Sequence, residues 1–280
     1  MDGLLRVTVI ETTEVVKELT RRHKMSPLAS IITGRVATAA LMLGTTLKGK
    51  QIVTVQVRGT GPIGMIRATA DAHGTVRAYV ATPDLELPLT EAGRHDIKTA
   101  VGANEGVFEV IKDLGLKDPY HGIVPLVTGT IYDDMAYYLL ASEQTRSAVA
   151  LGEAFESSDL AAAGGYLVQA LPGAGDEVEA RIRELPSIGK MIEQGLKPEE
   201  ILESLIGQAE GLKVVSRQDV TFKCSCSRER FAMGLHLVGF KDTINLLDDG
   251  SDAKLTLNCH FCNENYDFSR SQIEAIFTTN

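Results

Sequence analysis

GTTLKGKQIVTVQV, residues 44–57, decides which kind of fold this chain forms. Its opening matches G-x-x-x-x-G-K, the start of a phosphate-binding loop. Such a loop needs a strand before it and a helix after it, so that backbone N–H groups and a helix N-terminus face the phosphates. The order here is reversed. Upstream, Ser26-Pro27 reads as an N-cap followed by proline at the first helical position. IITGRVATAALMLG (31–44) carries that helix on to about Leu47. Downstream, Val53, Val55 and Val57 alternate on one face, which is a strand signal. Gln51 stands where the Mg²⁺-holding Ser or Thr would be. The context therefore argues against an ATP site.

Working outward, LLRVTVI (4–10) reads as a strand and TTEVVKELTRRH (12–23) as a helix. GMIRATADA (64–72) and TVRAYVA (75–81) read as strands around an Asp-Ala-His-Gly turn. Further strand-like segments fall at 107–112, 122–131, 145–155 and 165–171, with a short helix around 133–141. Strands joined by tight turns, with helices grouped early, predict an α+β domain over 1–175 rather than a doubly wound parallel sheet. GTGPIG (59–64) matches G-x-G-x-x-G, and Asp84 lies 20 residues past its last glycine, as in a dinucleotide fingerprint. A strand follows it, though, and Pro62 suits a turn, so a hairpin loop is expected. There is no G-x-S-x-G and no H-E-x-x-H, and the six histidines are scattered. No residue set supports an enzyme.

Between 176 and 220 the character changes. Val178, Ile182, Leu185, Ile188 and Ile192 recur at helical spacing, interrupted by Pro186, Gly189 and Gly195. A second helix starts at KPEE (197–200) and carries Ile201, Leu202, Leu205 and Ile206, followed by Gly207 and Gly211. Two readings stand. One is a surface helical hairpin packed on the main domain. The other is a helical linker whose short pieces depend on packing and come loose when it changes.

All four cysteines lie in the last part of the chain, 221–280: Cys224 and Cys226 in FKCSCSRERF, Cys259 and Cys262 in NCHFCNENY. A segment this small needs metal or disulfides to complete its core. Cys-x-Cys plus Cys-x-x-Cys gives four soft ligands, the tetrahedral set zinc favours. His260 is an alternative ligand inside the second loop. A purely structural zinc module is one reading, and a nucleic-acid-binding zinc ribbon is a variant of it. Against the variant, residues 222–280 hold 6 basic and 8 acidic residues, and the whole chain has a net charge of −9. The N-terminus has no signal-peptide pattern, and the apolar stretch 31–44 contains Arg35 and is short for a membrane span. The expectation is a cytoplasmic protein, without nucleic acid or membrane partners, whose thiols are mostly reduced.

These cysteine motifs, with Ser-Arg-Glu-Arg after Cys226, resemble those of the 33-kDa heat shock protein (33 kDa chaperonin) family. YYLLASEQTRSAVALG (137–152) and AAGGYLVQALPGA (162–174) are similar to it as well. The resemblance implies a redox-regulated, ATP-independent holdase that binds unfolded or oxidatively damaged clients under stress, homodimeric when active. It implies one Zn²⁺ per chain held by Cys224, Cys226, Cys259 and Cys262 in the reduced, inactive state. Four cysteines allow three pairings, and the family pattern implies Cys224–Cys226 and Cys259–Cys262 on oxidation. Zinc loss would unfold the small domain and loosen the linker. The rival reading is a constitutive zinc-stabilised binding protein with inert cysteines.

Overall fold

The computed structural model describes residues 5–103, 105–156, 159–174, 188, 191, 194, 197–206, 213–247 and 254–278. The chain divides into two compact units, Met1–Lys223 and Cys224–Asn280.

The first unit is organised around one apolar helix. In chain order it contains β1 (Leu5–Glu11), α1 (Thr13–His23), α2 (Pro27–Gly44), β2 (Ile52–Arg58), β3 (Met65–Asp71) and β4 (Thr75–Val80). There follow α3 (Ile97–Val101), β5 (Val107–Asp113), β6 (Tyr120–Pro125), α4 (Tyr132–Ala141), β7 (Ser147–Glu156) and β8 (Asp159–Ala170). The last two are α5 (Pro198–Ile206) and β9 (Thr221–Phe222). One sheet runs β6-β5-β2-β3-β4-β9 and a second runs β1-β8-β7. All pairings are antiparallel except β4 with β9. Helix α2 packs against strands of both sheets.

A helix that is apolar all round belongs inside a core, and 16 of the 18 residues of α2 are buried. It is the one helix among the described residues long and apolar enough to cross a membrane, and here it is the central core element. Period-2 alternation supplies the sheet face beneath it: Val53, Val55, Val57, Ile66, Ala68, Val76, Ala78, Phe108 and Val110 are all at most 1% exposed. The opposite face carries Thr54 and Thr69, whose hydroxyls are 2.9 Å apart. It also carries Gln56, which accepts from Arg67 and donates to Glu109.

Both glycine motifs are structural. Helix α2 ends at Gly44, short of the expected Leu47, because the Thr45 and Thr46 hydroxyls donate back to the Met42 and Leu43 carbonyls. GTTLKGKQ is therefore a helix exit leading into β2. Residues 59–64 join β2 to β3, as expected. Their backbone bonds to 100–102 (Thr60 N to Gly102 O and Gly61 N to Val101 O, both 2.9 Å). A Cβ on Gly61 would sit 2.2 Å from the Ala100 carbonyl, so glycine is required for that close approach.

Other boundaries differ from the sequence expectations. The strand expected over 122–131 stops at Pro125. Beyond it, the Asp134 carboxylate, fully buried, accepts from the N–H groups of Val127, Thr128, Gly129 and Ile131 and holds 127–131 as a loop. The Ser-Glu-Gln corner between α4 and β7 is tied by Glu143, which accepts from Tyr138 Oη at 2.7 Å and pairs with Lys112.

Helix α5 packs on the outer face of the β1-β8-β7 sheet, the face turned away from α2. Ile188, Met191, Ile201 and Leu205 are buried there against Tyr166 and Val168, with Leu5, Val7 and Val9 at the margin. Val178, Ile182, Leu185 and Ile192, and the breakers Pro186, Gly189, Gly195, Gly207 and Gly211, lie outside the described residues; of Ile206 only the backbone is described. The chain returns to the large sheet at β9, where Thr221 N and Lys223 N donate to Gly74 O and Val76 O. The Arg22 guanidinium lies 4.8 Å over the Phe222 ring.

The second unit consists of α6 (Arg228–Val238), α7 (Phe240–Asn245), the hairpin β10 (Lys254–Asn258) with β11 (Asn265–Ser269), and α8 (Arg270–Thr278). Its core is small: Leu235, Leu247, Leu255, Phe268 and Ile273, with Phe231, Tyr266 and Phe277 partly buried around them.

Candidate metal and redox centre

The four cysteines come from two local devices. Cys259 and Cys262 sit on the β10–β11 turn. There Cys259 O accepts from Cys262 N (3.2 Å) and Asn263 N (2.7 Å), while Cys259 N donates to Glu264 O (2.8 Å). Asn263 takes a left-handed φ of 58°, which asparagine tolerates better than most residues. The result is a knuckle presenting both sulfurs to one side. Cys224 and Cys226 lie in the short segment leading into α6, whose N-cap Ser227 accepts from Arg230 N. Arg228 donates to Asp267 O and Gln272 Oε1 and covers the Phe268 ring at 4.4 Å, so α6 is fastened to the hairpin.

These devices bring the four sulfurs within 4.8 Å of one another. Cys226 Sγ is 3.3 Å from Cys262 Sγ, and Cys224 Sγ is 3.7 Å from Cys259 Sγ. Sulfurs at about 2.3 Å from a common ion in a tetrahedron stand about 3.8 Å apart. The cluster therefore has the size and donor chemistry of a four-thiolate metal site. His260 is exposed and outside it. Cys259 and Cys262 are buried, at 6% and 4% exposure; Cys224 and Cys226 are half-buried.

The sulfurs differ in proton affinity. Burial pushes the Cys259 and Cys262 thiols up. Burial also acts to raise Cys226, but hydrogen bonds from Tyr266 and from the neighbouring cysteines outweigh it, and that thiol is lowered. The Tyr266 phenol is raised in turn, chiefly by its bond to Cys226. Charge-assisted contacts of this kind favour the thiolate that a metal needs.

The sequence model described as "Hsp33 protein" matches residues 1–269. The chain belongs to the Hsp33 family. A protein of Bacillus velezensis named 33 kDa chaperonin is 42% identical over 280 residues, 98% of this chain and 94% of its own length. One of Geobacillus kaustophilus with the same name is 40% identical with the same coverage. The crystal structure of the Thermotoga maritima 33 kDa chaperonin superposes with a TM-score of 0.89 at 35% identity, covering 99% of this chain and 95% of that one. The Hsp33 relatives are thus chaperones that match both units, and the mixed α/β fold with its small cysteine-bearing unit is the family's.

Three site residues escape a reading of the cysteines alone: Tyr266, Arg228 and Arg230. The two arginines lie inside the Ser-Arg-Glu-Arg run, so their presence was visible but their contacts were not. Tyr266 carried no signal beyond being the first aromatic after Cys262.

Proposed function

We propose that this protein is a redox-regulated, ATP-independent holdase whose switch is the four-thiol cluster. The observation that carries the reading is that Cys224, Cys226, Cys259 and Cys262 meet within 4.8 Å in a 57-residue unit whose described residues contribute a core cluster of five buried apolar side chains. A Zn²⁺ bound there would keep the sulfurs as thiolates and contribute on the order of 10 kcal/mol to folding of the unit. A core that small does not replace such a contribution.

Peroxide oxidises a thiolate to a sulfenic acid, and a neighbouring thiol condenses with it to a disulfide and water. The pairs Cys224–Cys226 and Cys259–Cys262 follow from the family resemblance; all four sulfurs are close enough that proximity alone selects no pairing. Disulfides this local close tiny loops and constrain the unfolded chain little. Oxidation therefore removes the ligand set, the ion leaves, and the C-terminal unit unfolds.

The apolar surface offered to clients is the docked interface on the outer sheet face. Undocking of the segment 176–220, the linker in a three-part organisation of 1–175, 176–220 and 221–280, uncovers Ile201 and Leu205 together with Tyr166 and Val168. Contiguous exposed apolar surface is what a non-native protein binds. The helix-to-strand setting of GTTLKGKQ supports independence from ATP. The acid balance of the chain supports clients that are unfolded proteins rather than nucleic acid. A cytoplasmic location and a homodimer in the active state complete the reading.

The test pairs zinc release under peroxide with light scattering of a denaturing client, each with and without reductant. Release accompanied by suppressed aggregation is expected, with both reversed by reductant. Retained zinc and unchanged aggregation would instead establish a constitutive zinc-stabilised protein with inert cysteines.

A further inference from the structure

Tyr266 stands on β11 opposite Leu257 of β10, four residues past Cys262. Its ring packs on Phe231 of α6 with centroids 4.8 Å apart, which aims the hydroxyl into the cluster. Tyr266 Oη lies 3.2 Å from Cys226 Sγ. A thiolate offers no hydrogen, so in that state the phenol is the donor.

We propose that Tyr266 is a positioning residue that holds back Cys226, making it slower to react with electrophiles than Cys224. The inference deepens the redox reading above and rests on it for its biological use. Its physical basis is independent. A hydrogen bond to a thiolate withdraws electron density from sulfur, and nucleophilicity falls with that density. Cys224 and Cys226 are both half-buried, and no phenol contacts Cys224 among the described bonds. The donor belongs to the hairpin that carries Cys259 and Cys262. The restraint on one cysteine pair is therefore built from the element bearing the other, and it lapses when that hairpin loosens.

With hydrogen peroxide, the Cys226 thiolate displaces hydroxide from one peroxide oxygen: an S–O bond forms, the O–O bond breaks, sulfur loses two electrons and peroxide gains them. With iodoacetamide, a C–S bond forms and iodide leaves. The withheld electron pair is the same in both.

The experiment uses the full-length, zinc-loaded protein and its Tyr266→Phe variant. Each is treated briefly with iodoacetamide and, separately, with peroxide plus a sulfenic-acid trap, and modification is counted at each cysteine by mass spectrometry. The expected result is a ratio of Cys226 to Cys224 modification that rises about threefold to tenfold in Tyr266→Phe, with zinc stoichiometry retained. A phenylalanine keeps the packing on Phe231, so a purely structural tyrosine would leave the ratio where it was, and that outcome overturns the proposal. Should the variant not fold, 3-fluorotyrosine at position 266 strengthens the donor and must move the ratio the other way; no movement again overturns it. If peroxide leaves the wild type untouched while the iodoacetamide ratio responds, the redox reading fails and the role of Tyr266 stands.

Discussion

Arg230 Nη1 donates to both the carbonyl and the hydroxyl of Ser225, at 2.8 Å each. Ser225 is the single residue between Cys224 and Cys226, so a guanidinium on the first turn of α6 holds the backbone between two sulfurs that face the same point. Arg230→Met should lower zinc affinity about tenfold to a hundredfold. Arg230→Lys should recover part of the loss, since both bonds come from the one nitrogen Nη1 and an ammonium on a shorter, more flexible side chain can donate to the same two oxygens. Chelator competition measures both. Wild-type affinity in Arg230→Met would show that the Cys224–Cys226 segment needs no clamp.

Chelation should unfold the C-terminal unit alone. Its core among the described residues is five side chains, and Ile273 and Phe268 at its centre are at most 2% exposed. In NMR spectra their signals should collapse to unfolded positions, while those of Val55 and Phe108 in the large sheet stay put. Cys224→Ser should give the same spectrum without chelator, because three sulfurs and a hydroxyl make a much poorer zinc site. A dispersed spectrum for Ile273 in either sample would mean that the unit folds without metal.

A charge at the docked interface should release the segment without oxidation. Leu205→Asp places an unpaired carboxylate where Leu205 is 8% exposed, at a cost of several kcal/mol. The reduced, zinc-bound variant should then suppress client aggregation, and hydrogen exchange across 176–220 should speed up. Wild-type protection in this variant, or in oxidised wild type, would remove the segment from the switch.

Glu18 holds Arg22 in place beneath β9. Its carboxylate is drawn down to about 2 from 4.5, first by the Arg21 side chain and, against an opposing effect of burial, by Arg22, whose Nε is 2.6 Å away. A lowered folded pKa contributes stability above about pH 4.5 that is lost as pH falls towards 2. The site is about one-third exposed, so the contribution is small, under about 1 kcal/mol. Glu18→Gln should cost that much at pH 7 and only a small part of it near pH 2, read from denaturant midpoints at both. Equal losses at the two pH values would place the effect in packing rather than charge.

Arg35 interrupts the apolar helix α2 and makes a bidentate bond to Glu153 on β7, with side chains 13% and 5% exposed. Arg35→Met should destabilise the first unit by about 3–5 kcal/mol, because a buried carboxylate loses its partner. Arg35→Met with Glu153→Leu should regain most of that, measured by urea unfolding.

What the sequence made legible was whatever rests on a period or on rare residue chemistry. The uninterrupted apolar run of α2 and the Val53, Val55, Val57 alternation are direct prints of burial on one or all sides. The two cysteine pairs are visible because thiols at such spacing have few other uses. Features created by contacts remote in sequence were not legible. Strand β9 is two residues long and carries no period of its own; it exists because the edge of β4 accepts it. Helix α3 is five residues, too short to mark a face. The strand expected through 131 ends early because Asp134, read as the start of a helix, also gathers four N–H groups from the preceding loop. Within the site, Arg230 and Tyr266 act through hydrogen bonds that only the folded hairpin and α6 bring about.

The segment between Ala170, the last residue of β8, and Thr221, the first of β9, spans 50 residues and is anchored in the first unit at both ends. It is a tether closed on itself rather than a free tail. Even fully undocked, such a chain has a root-mean-square reach of about 40 Å. Ile201 and Leu205 would therefore face their own sheet at an effective concentration in the millimolar range. Every client would then bind in competition with this intramolecular rival. Inserting a long Gly-Ser stretch should dilute the rival and tighten client binding without a single new contact.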